Sequence, residues 1–247
     1  MTSPAIPAQE HYDNFLAKQY AWMAGGFAEN VEKNRAFLAG KAIRISRTGQ
    51  AVDLGAGCGF VTIPLLEAGF SVLAVDFCTP LLEELRLHAA SHGVRTSAGD
   101  IMDFSLWAGR DPELIACMGD TLPHLPDTDT IVRLIRQCYA ELVPGGKLIL
   151  ALRDYSREVE GSIVVIPVQR DRDRIFLCRL EYRADHVGVT DVLYSRESGS
   201  WERSHGKYRK LRIAPAFLGR ELVRAGFRIE ENTVGEGHIT IIAKNDG

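Results

Sequence analysis

The chain has no excess of charge of either sign, no long apolar run and no clustered cysteines, and each absence removes a class of protein. Lysine and arginine number 29 against 32 acidic residues, for a net charge of −3. No global basic field therefore draws the molecule to nucleic acid or to an anionic membrane. The longest apolar stretches, residues 162–168 and 148–152, fall far short of the roughly 20 residues a membrane-spanning helix needs. The opening MTSPAIPAQE has neither a basic nor an apolar region, so no secretory signal is expected. Cys58, Cys78, Cys117, Cys138 and Cys178 are widely spaced and form no CxxC pair. That pattern suits reduced thiols in a cytoplasm better than a disulfide framework or a zinc cage. No metal-ligand spacing appears among the seven histidines, and neither a P-loop nor a GxSxG elbow is present.

What is there is ordinary globular material: 247 residues, 46% hydrophobic and 25% charged. A chain of that length buries a sizeable core without disulfides or metal. Residues 10–46 read as helical. Tyr12, Phe15, Leu16, Tyr20 and Met23 fall at the offsets of one helix face, Gly25-Gly26 breaks the segment, and a second helix is expected from Asn30 to about Ile45. From Gln50 onward, short apolar strands alternate with helices, which predicts βαβ units and a parallel sheet. Strands are expected at 51–54, 71–75, 95–98, 114–118 and 147–152. Helices are expected at 60–68, from Thr79-Pro80 and at 128–143. Thr79 can cap its helix and Pro80 suits the first helical position. Between about 160 and 212 the helical rhythm stops. Three strands of an antiparallel insert are expected there, at 163–168, 174–183 and 187–197, with Phe176, Cys178, Leu180 and Tyr182 sharing a face. A helix at 215–225 and strands near 227–230 and 238–243 resume the α/β pattern. Arg203, Lys207, Arg209, Lys210 and Arg212 form the one basic cluster, read as a solvated strand surface because the total charge is acidic.

The first strand runs into Asp53-Leu54-Gly55-Ala56-Gly57-Cys58-Gly59-Phe60. Glycines there let the backbone turn tightly and approach a ligand, and the following helix start offers unpaired N–H groups. Asp76 ends the second strand, where a carboxylate can accept hydrogen bonds from ribose hydroxyls. Phe60 stands where a dinucleotide fingerprint wants a small residue, which counts against a nicotinamide-dependent dehydrogenase.

AVDLGAGCGF, then VLAVD, AGDI and PGG, in that order across residues 50–152, resemble the class I S-adenosylmethionine-dependent methyltransferases. The resemblance implies a Rossmann-like α/β sandwich that uses S-adenosylmethionine and releases S-adenosylhomocysteine. Gly55, Ala56 and Gly57 would face the methionine part and Asp76 the ribose. Asp100 and Ile101 would flank the adenine, with Asp53, Phe77 and Met118 completing the cofactor's surroundings. The segment MGDTLPHLPD, from Met118 to Asp127, and Leu152-Arg153-Asp154-Tyr155 are similar to the "LGNSFAHLPD" and "HRNYD" stretches of glycine N-methyltransferase-like enzymes. By that likeness Asp120 and Arg153 would hold the acceptor. Asp120 stands where those enzymes have a neutral amide, so it would either neutralise Arg153 or accept a proton-bearing nitrogen of the acceptor. His124 is a candidate general base, because an unperturbed imidazole titrates near neutrality. Thr121, and the aromatic Tyr12, Tyr20, Trp22 and Tyr182, are candidates for contact with the acceptor.

The expected organisation is an N-terminal helical lid over 1–48, a cofactor-binding core over 49–155, an antiparallel β insert over 156–212 and completion of the core over 213–247. The expected activity is methylation of nitrogen on a small-molecule acceptor, a planar heterocycle being favoured, with no nucleic-acid or membrane partner. Two alternatives use the same cofactor: cyclisation of its aminobutyrate chain with release of methylthioadenosine, and binding without turnover.

Overall fold

The computed structural model describes residues 8–157, 161–196 and 199–247. Five parallel strands carry the first half of the chain: β1 (Gln50–Leu54), β2 (Ser71–Asp76), β3 (Arg95–Ala98), β4 (Leu114–Cys117) and β5 (Lys147–Arg153). After an insert of β6 (Ile163–Arg170), β7 (Arg174–Tyr182), β8 (His186–Ser195) and β9 (Glu202–Leu211), the hairpin β10 (Phe227–Gly235) and β11 (His238–Asn245) returns to the first sheet. The seven-stranded sheet runs β3-β2-β1-β4-β5-β11-β10, and β11 lies antiparallel to β5. β1 pairs with β2 on one side and β4 on the other. The strand order reverses there, and open α/β sheets bind ligands in the crevice beyond the carboxyl ends of such strands.

The sequence explains why the strands stay together. β1, β4 and β5 are nearly continuous apolar runs, as strands covered on both faces must be. One face packs Val52, Ile115, Leu148 and Leu150 against Ile131, Leu134 and Ile135 of the helix Thr128–Glu141. That helix starts where the Asp127 carboxylate accepts the Thr130 N–H at 2.7 Å, one of the donors a helix leaves orphaned. The opposite face packs Ala51, Val72 and Ile149 against Leu38 and Leu65. Among the described residues no helix is long and apolar enough to cross a membrane, and no three metal-ligating side chains cluster.

Three expectations need correcting. The helix over Phe27–Gly40 stops before Ile45, because Ala42 adopts a left-handed backbone and Ile43 donates back to the Leu38 carbonyl, which ends the coil. The N-terminal helix is broken into short pieces, with a π-helical turn at Tyr12–Leu16 and a 3-10 turn at Ala17–Gln19, so its residues do not keep one face. The insert has four strands in the order β6-β7-β8-β9, since β9 pairs along the whole of β8. Its inner face packs Leu180, Val187, Val189 and Tyr208 on Tyr155, and Phe176 and Leu193 on Leu16.

Candidate active site

Two cavities meet at the carboxyl ends of the parallel strands. Tyr12, Tyr20 and Gly119 belong to the walls of both. The first, about 220 Å³, lies over the glycine turn after β1 and is bounded by Gly55, Gly57, Asp76, Phe77, Asp100 and Ile101. The turn is forced by local bonding: the N–H groups of Gly55 and Ala56 both donate to the Val75 carbonyl. Gly55 and Gly57 both have positive φ, where a side chain is strained. A Cβ on Gly55 would collide with Thr121, whereas one on Gly57 would make ordinary contact with Tyr20 and Leu81. The Asp76 carboxylate accepts from the Gly57 N–H at 2.8 Å and the Cys78 N–H at 2.7 Å. Burial nevertheless pushes its pKa up to about 6.

Three residues expected at the cofactor lie off this cavity's lining. Asp53 is buried beneath the turn, where the Thr62 hydroxyl donates to it at 2.6 Å and burial pushes its pKa up to about 7. Ala56 packs into the core with Ile63 and Leu82, and Met118 packs on the opposite face of the sheet beside Leu38. Thr121 and His124, in contrast, do line the first cavity.

The second cavity, about 440 Å³, opens between the loop after β4, the end of β5, the insert and the N-terminal segment. Asp120, Arg153, Phe176, Tyr208 and Lys210 are in its wall. Of the two roles expected of Asp120, neutralising the Arg153 side chain is not the one the geometry shows, since its ion pair is with Lys210. The Asp120 carboxylate instead accepts from the Lys210 ammonium at 2.7 Å, the Tyr155 hydroxyl at 2.7 Å and the backbone N–H of Arg153 at 2.6 Å. Burial alone would raise the Asp120 pKa, but the Lys210 charge and these bonds hold it well below the ordinary carboxylate range. Lys210 is opposed by its own burial, and Asp120 keeps it charged. Asp120 is a non-glycine residue at φ +75°, a strained backbone that aims its side chain at this pair. The Arg153 side chain is exposed at the cavity wall.

Lys210 is the residue that the reading of a solvated basic surface misplaced. Side chains of a strand alternate between faces, and β9 turns Tyr208 and Lys210 inward while Arg209 is exposed. The apolar and aromatic partner two positions away was the available signal. Arg212 is also not free: it donates to the carbonyls of Tyr155 and Arg183.

Four rings form a column beside the site: Phe15 stacks on His11 (5.1 Å), His11 on Tyr208 (4.7 Å) and Tyr208 on His124 (5.5 Å). His11 is wholly buried and bonded to Asp191 at 2.9 Å. The approach is close enough that a Cβ on Gly206 would strike the His11 ring. His124 meets the Tyr12 hydroxyl at 3.3 Å, and burial together with the Lys210 charge pushes its pKa down to about 3. It is a neutral imidazole at physiological pH. Two of the expected aromatics stand apart from both cavities. Trp22 carries the Arg174 guanidinium over its ring at 4.0 Å, and Tyr182 lies at the end of β7 beneath Arg212.

Comparison with known proteins agrees with this geometry. Residues 51–146 match the family described as "Methyltransferase domain". A ubiquinone biosynthesis O-methyltransferase of Xanthomonas axonopodis pv. citri (strain 306) is 30% identical over 159 residues, 64% of this chain and 62% of that protein. A glycine/sarcosine N-methyltransferase of Parasynechococcus marenigrum (strain WH8102) is 30% identical over 153 residues, 60% of this chain and 53% of that one. The chain thus spans about three fifths, or less, of the length of these curated relatives. The solved CcbJ methyltransferase of Streptomyces caelestis shares the fold with a TM-score of 0.78, at 21% identity over 96% of this chain and 98% of that one. A methyltransferase-domain match over residues 51–146 thus coincides with the first cavity, and the whole chain shares the fold of a solved methyltransferase.

Proposed function

We propose that the chain transfers a methyl group from S-adenosylmethionine to a nitrogen atom of a small, planar, neutral acceptor. The observation that carries the choice of nitrogen is the set of displaced proton affinities around the two cavities. His124 is pushed down to about 3 by burial, Asp120 is held low, and Lys210 is held charged. Burial raises the Tyr12 and Tyr208 phenols. Asp191 is engaged by His11. Apart from Asp76, whose carboxylate is taken up by the Gly57 and Cys78 N–H groups at the glycine turn, none of the displaced groups lining the cavities is poised near neutrality, where a general base works best. A hydroxyl acceptor wants its proton removed before or during attack. A pyridine-type ring nitrogen already has an in-plane lone pair, so no proton need leave before attack; the N-methylated cation that forms sheds a proton afterwards only where the ring carries an N–H elsewhere.

S-adenosylmethionine supplies the electrophilic methyl group and a neutral thioether leaving group. The residues supply the rest. In this reading the Gly55–Gly57 turn cradles the amino-acid end, Asp76 accepts from the ribose hydroxyls, and Asp100 and Ile101 border the adenine. Gly57 fits that role because it lines the cavity beside Tyr20 and Leu81, the side chains that a Cβ there would touch. Tyr12 and Tyr20, shared by both cavities, offer aromatic faces to the sulfonium. His124 fixes the Tyr12 hydroxyl as a positioning residue and removes no proton. Holding the lone pair in line with the methyl carbon and sulfur supplies on the order of 7 kcal/mol or more of acceleration. The enclosed aromatic walls keep water from the reacting centre. The names of the relatives include nitrogen methylation of glycine and sarcosine and oxygen methylation in ubiquinone synthesis. The lack of a poised base among the groups above, Asp76 apart, favours the first chemistry, and the pairing of the Lys210 ammonium in the second cavity's wall with Asp120 favours a heterocycle over an amino acid.

The test is incubation with methyl-¹³C-labelled S-adenosylmethionine and a panel of nitrogen heterocycles, phenols and small amino acids. The label is expected in an N-methyl resonance of a heterocycle, with S-adenosylhomocysteine as co-product. An O-methyl resonance, efficient methylation of glycine, accumulation of methylthioadenosine, or binding with no turnover would each defeat the reading.

A further inference from the structure

We infer that Lys210 selects the acceptor, and that it selects a neutral ring bearing a carbonyl oxygen near the methylated nitrogen. This deepens the function proposed above and rests on it. An ammonium has three N–H donors. Among the described residues the Lys210 Nζ reaches two acceptors, Asp120 Oδ2 at 2.7 Å and the Tyr155 hydroxyl oxygen at 3.2 Å. Lys210 is itself 7% exposed and lines the second cavity, so the cavity is where a third acceptor must come from. A buried donor left without a partner is costly, and a ligand oxygen that meets it is correspondingly favoured.

The surrounding charges decide which kind of oxygen. Asp120 and Asp191 stand against Lys210 and Arg153 in the same wall, two negative and two positive side chains. A carboxylate on the acceptor would sit beside Asp120, already 2.7 Å from the ammonium, and gain little from it. A carbonyl oxygen takes the hydrogen bond without that repulsion, and its ring lies against Tyr12, Phe176 and Tyr208. The placement is a built one. The left-handed backbone at Asp120 brings the carboxylate from the loop after β4 onto a lysine 90 residues further along the chain. Tyr155, just beyond β5, closes the group by donating to the same oxygen. Strain of this kind persists only where the surroundings enforce it.

The experiment measures binding by calorimetry to protein saturated with S-adenosylhomocysteine. Probes are paired rings that differ in one oxygen: hypoxanthine and purine, 2-quinolone and quinoline, 2-pyridone and pyridine. The wild type is expected to bind the oxygen-bearing member of at least one pair about tenfold or more tightly, the worth of a charge-assisted hydrogen bond. In Lys210→Met combined with Asp120→Asn, which removes both charges together, that preference is expected to shrink to within about twofold, with S-adenosylhomocysteine affinity retained. Should the double variant fail to bind S-adenosylhomocysteine, Lys210→Gln provides the same comparison. No preference in the wild type for any pair, or a preference that survives loss of Lys210, overturns the assignment. Failure of the wild type to bind S-adenosylhomocysteine is a different outcome: it overturns the methyltransferase reading and the assignment with it.

Discussion

The first cavity is lined mainly by the ends of neighbouring parallel strands, so the residues at its floor follow one another in the order Gly55, Gly57, Asp76, Asp100. The second gathers Tyr12, Asp120, Tyr155, Phe176 and Lys210, which no single supersecondary unit holds together. A strand end that follows an apolar run and meets a glycine turn is a local pattern. A cavity wall assembled from an N-terminal segment, a loop and the inner face of an insert is not. The difference teaches that the first cavity is set by short-range backbone geometry, whereas the second is set by side-chain pairing at long range.

If that contrast holds, the largest effect belongs to the glycine turn. Gly57→Arg places a long side chain in the first cavity and is expected to abolish S-adenosylhomocysteine binding by calorimetry while thermal unfolding stays cooperative. Retained binding would move the cofactor elsewhere. Next is the ion pair. Lys210→Met alone leaves Asp120 with one charge too many in a buried place and is expected to cost roughly 3 kcal/mol in urea unfolding. Adding Asp120→Asn should recover most of that loss; an additive loss would show the two side chains to be uncoupled.

The third effect is a pH dependence of opposite sign in binding and in stability. Burial raises Asp76 to about 6, so its contribution to stability is present below the ordinary carboxylate value and is lost as pH rises through about 6. Ribose hydroxyls, in contrast, donate to the ionised form. S-adenosylhomocysteine affinity is therefore expected to fall by about tenfold between pH 7 and pH 5. A flat profile would remove Asp76 from the ribose. Asp120 runs the other way in stability: its pKa is depressed, so its contribution is present above the ordinary carboxylate range and is lost on acidification. The smallest effect tests the edges of the second cavity. Tyr182→Ala, outside both linings, should leave ligand affinities within about twofold; a larger change would extend the acceptor site along the insert.

The parallel sheet, the succession of its strands along the chain and the glycine turn were legible because apolar runs, glycines and a strand-terminal aspartate carry them in short windows. The insert was legible as antiparallel from the alternation in 174–183. Its fourth strand was obscured by charge, since Arg203, Lys207, Arg209, Lys210 and Arg212 look alike until the alternation around Tyr208 is counted. The N-terminal aromatics were read on one helical face, but the π-helical turn at Tyr12–Leu16 changes the phase. Tyr12 and Tyr20 reach the cavities, while Phe15 and Trp22 turn to the insert. The His11–Asp191 contact had no local signal at all, because neither residue is unusual where it stands.

That contact also bears on how the molecule comes together. His11 and Asp191 lie 180 residues apart, and the ring column needs Tyr208 as well. A chain emerging from the ribosome presents Phe15 and Leu16 well before the sheet that covers them, whose β8 and β9 follow about 170 residues or more later. Closing so long a loop adds little entropy cost beyond that of a shorter one, but it delays the contact and slows folding. Until β8 and β9 are paired, the N-terminal segment carries exposed apolar rings, the kind of surface that chaperones hold and that aggregates when they do not. The crevice therefore acquires its roof only after β8 and β9 have been synthesised.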